Sequence, residues 1–449
     1  MNTPICDFVR RYAQRNALRM HMPGHKGIGA LGIESLDITE IEGADSLYEA
    51  DGIIRQSEAN ASVLFGCQTY YSTEGASHCI RAMLHLALLY GKARGRTATI
   101  LAGRNAHKAF VSAAALLDAS ICWLYGCHSG SYLSCLIELP TLESLLIRER
   151  PAAVYLTSPD YLGNLTDLPD IAECCHRHGA LLIVDNAHGA YLRFLSPSLH
   201  PMDLGADMAC SSAHKTLPVL TGGAYLHLSE ALEGEFRGQI RQAMALFGST
   251  SPSYLILQSL DAANPVLAEY PALLAEFIPE ITALKRRLTE AGYLLTGDEP
   301  MKLTLVCPPL GYTGPELARL LQQHGIFCEY SDPDFLVLMP APPNGTEGLR
   351  RLERILLQLE RRKALPMNPP LPSPCVRAME IRQALLCASQ TVPAAQSEGR
   401  ILAAPSVGCP PAVPIVVSGE IIDANAVRCF SYYGICHCEV VAEPFHAHL

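Results

Sequence analysis

Two residues near the middle of the chain have the types and surroundings that chemistry on an amine would need. Asp185 ends the apolar run 180–185, and ligands of parallel α/β sheets bind beyond the carboxyl ends of the strands. Lys215 lies among small and hydroxyl side chains, with His214 beside it. An amine that is shielded from water and near cations has a lowered pKa and condenses readily with an aldehyde. Taken separately, Asp185 could also be a turn or cap residue, and Lys215 a solvent-exposed loop residue.

Both residues depend on flanking elements, which we infer from periodicity. Between about residues 75 and 230, apolar runs alternate with helical patterns, which is typical of a parallel sheet covered by helices. The predicted helices are 75–90, 107–117, 142–148 and 168–178. The predicted strands are 97–102, 121–125, 152–157, 181–185, 208–211 and 223–228. Asp185 should therefore end one strand, and Lys215 should lie between the next two.

Changes of composition along the chain predict its domain organisation. The predicted segments are an N-terminal arm (1–50), a large domain (51–270), a small α+β domain (271–363), a proline-rich linker (364–375) and a C-terminal lobe (376–449). In the small domain the strand candidates are 302–306, 326–330 and 335–339. The linker is too rich in proline for a helix or a central strand, so we expect a semi-rigid connector.

The overall composition excludes several classes of protein. Hydrophobic residues make up 49% of the 449 residues and charged residues 17%, which fits a folded enzyme and not a disordered chain. The formal charge is -10 and there is no basic stripe, so nothing favours nucleic acid as a partner. No apolar segment has the length of a signal-peptide core or a membrane span. We therefore expect a soluble cytoplasmic protein without a membrane partner.

The cysteines favour reduced thiols over disulfides or a metal site. There are 17 of them, an odd number, without a secretion signal. The clusters 174–176 and 436–438 combine Cys with His, but neither has the second spaced pair of ligands that zinc sites show. We expect packing at both clusters and no bound metal.

A set of short motifs follows one order along almost the whole chain. They are HMPGHK (21–26), DITEIEG (37–43), DSL (45–47), GRNAHK (103–108), TSPDYLG (157–163), VDNAHG (184–189), SAHKTLP (212–218), SPSY (251–254), GYTGPEL (311–317), GRI (399–401) and PPAVPIVVSGE (410–420). In this order they resemble the Orn/Lys/Arg decarboxylase family, in its short form that lacks the N-terminal wing domain. One such match would be weak evidence, whereas several in the right order make chance resemblance very improbable.

The resemblance implies a fold and a cofactor. The fold is that of type I pyridoxal-phosphate transferases, with a mostly parallel seven-stranded sheet in the large domain, a small α+β domain and a C-terminal α+β lobe. The cofactor is pyridoxal 5'-phosphate, bound to Lys215 as a Schiff base, with Asp185 keeping its pyridine nitrogen protonated so that the ring accepts electrons. By the same resemblance His107 stacks on the ring, Ala187 packs under it and His188 lies close by.

The resemblance also implies a phosphate site at the helix start in segment 73–78, where a glycine turn offers backbone N–H groups. Its expected contacts are Ser77, Ser212, His214 and the amide of Ala76. The family is richer in Ser and Thr here, since Ala76 and His78 replace hydroxyl residues. Phosphate affinity is where this chain could differ from the family.

A homodimer or a higher homo-oligomer is implied in the same way. In the family the partner subunit completes the site, and the segment 249–254 matches the stretch that reaches across, with Thr250 as the expected contact. The other interpretation of this segment is an ordinary polar loop in which a serine caps the next helix.

The implied reaction is decarboxylation of a basic amino acid to its amine. The carbanion left at Cα would be protonated by Lys215 or His214. A cationic substrate terminus needs an anionic partner when it is buried, and Glu420 and Asp45 are the family-matched acids, although either could instead be a solvated surface residue. Arginine is slightly favoured over lysine and ornithine, because the short form resembles biosynthetic arginine decarboxylases that feed polyamine synthesis.

Two alternatives share parts of this pattern. An aminotransferase of the same fold would need a C-terminal arginine for the substrate carboxylate, and Arg400 is available, although in a decarboxylase-like GRI context. A catalytically weak regulatory relative is the other alternative, because Ala76, His78, Asp160 and Asn186 differ from the usual family residues. The presence of both Lys215 and Asp185 argues against it.

Overall fold

A computed structural model describes residues 1–126, 130–405 and 411–442 of the chain. Residue 410 of the last motif and the end of the predicted C-terminal lobe, 443–449, lie outside the described residues.

Helices and strands alternate along most of the described chain. The helices are α1 (Pro4–Gln14), α2 (Ile53–Phe65), α3 (Gly75–Ala93), α4 (Lys108–Leu117), α5 (Leu139–Glu149), α6 (Leu168–Arg177), α7 (Ala213–Thr216), α8 (Glu230–Glu233), α9 (Gln239–Phe247), α10 (Tyr254–Ala268), α11 (Tyr270–Glu290), α12 (Gly314–Gln323), α13 (Gly345–Leu357), α14 (Ile381–Leu386) and α15 (Ala424–Tyr432). The strands are β1 (Gln68–Ser72), β2 (Thr99–Gly103), β3 (Ser120–Leu124), β4 (Ala153–Thr157), β5 (Leu181–Asp185), β6 (Met208–Ser211), β7 (Ala224–Leu228), β8 (Leu294–Thr296), β9 (Leu303–Val306), β10 (Tyr330–Ser331), β11 (Phe335–Leu338), β12 (Ser389–Pro393), β13 (Leu402–Ala404) and β14 (His437–Val441).

Seven strands form the main sheet, in the order β1-β7-β6-β5-β4-β2-β3. The pairs β2–β3 and β5–β6 are parallel, whereas β7 runs antiparallel to β1 and β6. Every residue of β5, β6 and β7 is buried, which explains why their sequences are mostly apolar and do not alternate between apolar and polar residues. The predicted α/β fold class with a mostly parallel seven-stranded sheet is confirmed.

The described chain forms two compact units. The first comprises Met1–Arg96, Ala152–Val154 and Leu168–Ala275, and the second Thr97–Pro151, Tyr155–Asp167 and Glu276–Leu449. The domain boundaries inferred from composition stay a prediction.

Two smaller sheets belong to the second unit. Strands β8 to β11 form an antiparallel sheet in the order β10-β11-β9-β8, and β12 to β14 form another in the order β12-β14-β13. The second of these covers an apolar cluster that includes Leu402, Phe430 and Val440.

Most predicted elements of the main sheet agree with the structure to within three residues. The strand predicted at 326–330 is wrong for its first four residues, because only Tyr330 and Ser331 pair with β11. Phe327, an apolar residue in the middle of this segment, is 75% exposed and does not face a core.

None of the helices in the described ranges is both long enough and apolar enough to cross a membrane. Each cysteine among the described residues is a free thiol.

Candidate active site

The first unit brings several strand ends to one edge of the main sheet. Asp185 ends β5 and lies beside Cys210 of the parallel strand β6. Because β7 is antiparallel to both β6 and β1, the last residue of β1, Ser72, pairs with the first residue of β7, Ala224. The carboxyl ends of β1, β5 and β6 thus meet the start of β7, and Lys215 follows directly after β6 in α7. Ligands of such sheets bind at this edge.

Asp185 is a buried acid with donors arranged around one of its oxygens. Asp185 is only 3% exposed. The Ala187 N–H donates to Oδ1 at 3.1 Å, and the Cys210 thiol donates to the same oxygen at 3.6 Å. These two contacts fix the position of the carboxylate at the end of β5.

Lys215 and His188 meet at this edge. The Nζ atom of Lys215 is 2.9 Å from Nε2 of His188, which lies in the turn after β5. The short helix α7 is held in place by the Tyr270 hydroxyl, which donates to the carbonyl of Thr216 at 3.2 Å. Lys215 is half-buried and His188 is buried, so the amine faces a partly sheltered space and not bulk solvent.

Two successive carbonyls connect the two helix starts of this edge. The Gly75 N–H, at the start of α3, donates to Gly222 O at 2.7 Å. Both the backbone N–H and Nδ1 of His214, in α7, donate to Gly223 O, at 3.2 and 3.0 Å. Gly222 has φ +99° and a Cβ there would lie 2.9 Å from Thr73 O, so only glycine fits. These bonds hold the starts of α3 and α7 side by side.

The first turn of α3 and the residue before α7 carry the expected phosphate donors. The N–H groups of Ala76 and Ser77 have no carbonyl of their own helix to bind. A Cβ added at Gly75 would meet nothing within 4 Å, so the turn borders open space. Ser212 precedes α7 but its hydroxyl makes no capping hydrogen bond. Backbone N–H groups at a helix start are the kind of donor that binds anions.

His78 does not belong to this set. Its ring is buried, with Nδ1 2.9 Å from the Ser72 hydroxyl and Nε2 2.7 Å from the Met244 carbonyl. Burial lowers the pKa of His78. The imidazole thus bridges β1 and α9, which explains a histidine at this position without any contact to phosphate.

A polar network that the sequence did not suggest lies behind Asp185. Asn186 Nδ2 donates to the Ser211 hydroxyl at 3.1 Å, and that hydroxyl is 3.5 Å from Nε2 of His200. All three residues are buried, and burial lowers the pKa of His200 to about 3. Asn186 follows the predicted strand 181–185 and Ser211 ends the predicted strand 208–211, so the pairing of these two strands could have brought the two residues together. Asn186 is thereby assigned to the support of the strand ends.

His107 belongs to the second unit and begins α4. Its Nδ1 accepts from the Ala109 N–H at 3.0 Å, so the imidazole is the N-cap of the helix. The next residue, Lys108, donates its N–H to Ala412 O at 2.7 Å. With Nδ1 accepting, a neutral His107 carries its proton on Nε2.

Glu420 is also in the second unit, where it pairs with Arg104. The Glu420 Oε2 atom is 3.5 Å from the guanidinium and accepts from the Val417 N–H at 2.7 Å. Arg104 donates as well to the carbonyls of Pro414 and Ile415 at 2.7 and 2.8 Å. Burial raises the pKa of Glu420, and Arg104 opposes that rise. The acid thus neutralises an arginine that anchors the segment before it.

Asp45 caps α2. Its Oδ2 atom accepts from the N–H groups of Gly52 and Ile54 at 2.8 and 2.9 Å, and Oδ1 accepts from Ile53 at 3.1 Å. An anion at a helix start also interacts favourably with the helix dipole. These contacts account for the burial of Asp45.

Thr250 lies in an exposed stretch before α10. Its neighbour Ser249 donates its N–H to Glu74 Oε1 at 2.6 Å, and Ser253 caps α10. Glu74 directly precedes α3, so the stretch with Thr250 starts beside the first turn of that helix.

Asp160 and Arg400, which were named for the two alternative functions, have structural partners in the second unit. Asp160 is buried and accepts from the Leu162 N–H at 2.9 Å and from the Ser134 hydroxyl at 2.5 Å. Arg400 donates to the carbonyl of Val441 at 2.9 Å, which ties it to β14. Asp160 shapes the loop after β4, and Arg400 is part of the C-terminal sheet.

Comparison with known proteins adds a family to this geometry. A family model described as "Orn/Lys/Arg decarboxylase, major domain" matches residues 3–297. The chain is 28% identical over 463 residues to an arginine decarboxylase of Bacillus subtilis (strain 168), with 94% of this chain and 91% of that protein covered. It is equally identical, over 468 residues, to the uncharacterized protein YaaO of the same organism, with 95% and 93% covered.

Solved structures agree on the fold. A lysine decarboxylase of Francisella novicida superposes with a TM-score of 0.80 at 16% identity, covering 98% of this chain and 81% of that chain. Lysine decarboxylase A of Pseudomonas aeruginosa gives a TM-score of 0.80 at 18% identity, with 98% and 80% covered.

Proposed function

The chain belongs to the Orn/Lys/Arg decarboxylase family and is a decarboxylase of basic amino acids; from this premise we propose that it works with pyridoxal 5'-phosphate bound at Lys215 and that arginine is its substrate. The observation that carries the proposal is the Lys215 amine, 2.9 Å from His188 at the same sheet edge as the buried Asp185. An amine that can attack an aldehyde and an acid that can hold a pyridinium proton are the two groups this cofactor requires.

The first unit fits the cofactor. Ala76 and Ser77 offer N–H groups at the start of α3, and the Ser212 hydroxyl, which caps no helix, lies near His214. These residues would hold the phosphate, and Ser77 would add its own hydroxyl. The open space above Gly75 leaves room for the phosphate oxygens.

Each remaining residue has a separate task in this proposal. Pyridoxal phosphate, when bound, supplies an electron sink for the pair of electrons released at the substrate Cα. Asp185 would keep the proton on the ring nitrogen, and Ala187 would pack against the ring. Lys215 would bind the aldehyde carbon through Nζ, and later Lys215 or His214 would deliver a proton to Cα. By the family resemblance His107 would stack on the other face of the ring.

The preference for arginine rests on relatives. The Bacillus subtilis relative is named arginine decarboxylase, and so is one of Halalkalibacterium halodurans that is 28% identical over 466 residues. From the family resemblance we also propose a homodimer that feeds polyamine synthesis, with Thr250 completing the site of the partner subunit. From the absence of an apolar signal-like segment in the sequence we propose a cytoplasmic location. Asp45 and Glu420 already cap a helix and pair with Arg104, so we assign both acids to structure and not to the substrate.

The proposal is tested with purified protein and a panel of substrates. Wild-type protein is mixed with pyridoxal phosphate and then with arginine, lysine, ornithine or a neutral amino acid, and carbon dioxide and amine are measured. We expect agmatine from arginine at the highest kcat/KM. Lys215→Ala should lose the visible absorbance of bound cofactor and the activity, whereas Lys92→Ala, an exposed lysine at the end of α3, should retain both.

Other outcomes would contradict the proposal in distinguishable ways. Formation of a keto acid without carbon dioxide would mean an aminotransferase. Protein that takes up no cofactor at saturating concentration would mean a regulatory relative. Faster turnover of lysine or ornithine would overturn only the assignment of arginine.

A further inference from the structure

The contact between Lys215 and His188 has chemical content beyond cofactor attachment. His188 lies in the turn that follows β5, and that turn is fixed by two hydrogen bonds, from Ala187 N–H to Asp185 and from Gly189 N–H to the Asn186 carbonyl at 2.9 Å. Lys215 lies in α7, which is anchored through Thr216. Both partners are therefore held by backbone that is bonded independently of their own contact.

Two nitrogen atoms 2.9 Å apart are hydrogen bonded only when one hydrogen lies between them. Either the Lys215 ammonium donates to an unprotonated Nε2 of His188, or a protonated Nε2 donates to a neutral amine. Two charged partners would repel each other across this distance. Among these possibilities, an ammonium beside a neutral imidazole and a neutral amine beside an imidazolium have the same net charge and differ only in the position of one proton.

We propose that His188 is a catalytic residue that holds the amine of Lys215 whenever this amine is not bonded to the cofactor, and that it exchanges one proton with it. The proposal rests on the proposed function, because it assigns a task within the same site. In one direction the N–H bond of the ammonium breaks, the proton moves to Nε2, and a neutral amine with a free electron pair remains. In the other direction the imidazolium returns that proton to the amine. No other reactant takes part and the charge of the pair is unchanged.

This role follows from what each partner can do. An ammonium has no lone pair and cannot attack a carbonyl carbon, so Lys215 must lose a proton before it bonds to the aldehyde. Imidazole is the side chain best suited to accept and return a proton near neutral pH. A carboxylate or carbonyl in its place would stabilise the ammonium and hold the amine in its unreactive form.

The experiment measures how fast Lys215 bonds to the cofactor, starting from protein without it. Cofactor-free wild type, His188→Gln and His188→Leu are mixed with pyridoxal phosphate, and the visible absorbance of the bonded cofactor is followed by stopped flow. Glutamine can hold the amine through its amide but cannot take up a proton, whereas leucine can do neither. We expect both variants to bond at least about tenfold more slowly than wild type, and only His188→Gln to reach the wild-type absorbance at saturation.

Several controls keep the outcome unambiguous. His176→Leu replaces an exposed histidine of α6 that pairs with Asp207 and should bond at the wild-type rate. A wild-type rate in His188→Leu, or in His188→Gln, would overturn the proposal. If His188→Leu does not fold, as judged by circular dichroism, the rate of His188→Gln decides alone. Absence of the absorbance in wild type would instead contradict the proposed function.

Discussion

The two units each contain a sheltered lysine, and the two lysines are held in opposite ways. Lys215 in the first unit is half-buried and faces an imidazole nitrogen of His188. Lys302 in the second unit is 4% exposed, and its Nζ donates to the carbonyls of Asp160 and Tyr161 at 3.1 and 3.4 Å. A carbonyl oxygen only accepts hydrogen bonds, whereas an imidazole can accept or donate. The carbonyls around Lys302 therefore hold its amine in place but cannot take a proton from it, whereas an imidazole, the partner of Lys215, is a group that can exchange a proton with an amine.

The difference teaches how to separate a reactive group from a structural one of the same type. Burial alone does not, since Lys302 is the more buried of the two. The nature of the partner atoms does, because an imidazole can take up a proton from an amine whereas a backbone carbonyl cannot. The predictions that follow test this distinction at groups of both kinds.

The largest effect is expected at Lys215. Lys215→Ala should lower the rate of decarboxylation at least about 10³-fold, because Lys215 carries the amine that would bond to the cofactor. The free energy of unfolding should change little, since Nζ supports no buried backbone group. Activity assays and urea unfolding on the same preparation measure both quantities. A variant that lost stability and activity in parallel would remove the contrast with Lys302.

Lys302→Met should behave in the opposite way. Two backbone carbonyls would lose the donor that satisfies them, which should lower the free energy of unfolding by about 2–4 kcal/mol. The activity per folded molecule should stay near that of wild type. Urea unfolding followed by fluorescence gives the first quantity, and activity at low temperature the second. An unchanged free energy of unfolding would mean that the hydrogen bonds from Lys302 Nζ to these two carbonyls do not stabilise the fold.

A smaller effect is expected from His200, a buried imidazole whose pKa is lowered by burial from 6.5 to about 3. Below pH 6.5 the unfolded chain therefore takes up a proton that the folded protein refuses, so stability is lost as pH falls from 6.5 toward 3. His200→Asn, which keeps an acceptor for the Met202 N–H, removes this loss.

The measurement is the difference in unfolding free energy between wild type and His200→Asn at several pH values. This difference should shrink by about 1.4 kcal/mol per pH unit below pH 6.5, which amounts to about 2 kcal/mol at pH 5. Using the difference cancels the buried acids whose pKa is raised, such as Asp160, because they titrate alike in both proteins. If the unfolding free energies of the two proteins changed in parallel with pH, His200 would not be kept neutral in the folded protein.

The smallest effect is expected at Asp45. Asp45→Ala should lower the free energy of unfolding by about 1 kcal/mol, the usual cost of a lost helix cap. KM for arginine should not change, because the carboxylate is engaged with the N–H groups of α2. Asp51→Ala, an exposed acid just before the same helix, is the matched control and should be neutral. A rise in KM for Asp45→Ala alone would restore Asp45 as a substrate contact.

The sequence predicted strands β5 and β6 well because every residue of both strands is buried. The runs 181–185 and 208–211 are apolar up to their last residue, which is polar. Both strands have those bounds in the structure. The prediction of a strand at 326–330 is wrong for most of its length, because this segment pairs with β11 only at its last residue, Tyr330, and at Ser331. Apolar residues such as Phe327 can remain exposed, and periodicity does not distinguish them from core residues.

The site was predictable only in part. Family motifs identified Lys215 and Asp185, but the structural partners of Asp45 and Glu420 depend on where helix N–H groups and Arg104 lie, which spacing along the chain does not reveal. The contact of His188 with Lys215 joins the turn after β5 to helix α7, 27 residues further along the chain. It follows from the register of β5 beside β6, and that register becomes visible only in the folded sheet.

The carbonyls of Gly222 and Gly223 have a thermodynamic consequence for cofactor affinity. They bind the starts of α3 and α7 before any ligand arrives, so the conformational freedom of both turns is already lost on folding. A phosphate that binds there needs to order little of the protein. In a preorganised site, less of the favourable interaction energy is offset by loss of conformational entropy. A side chain at Gly222 would therefore weaken cofactor binding without removing any contact to the cofactor, because the disorder of the two turns would then oppose association.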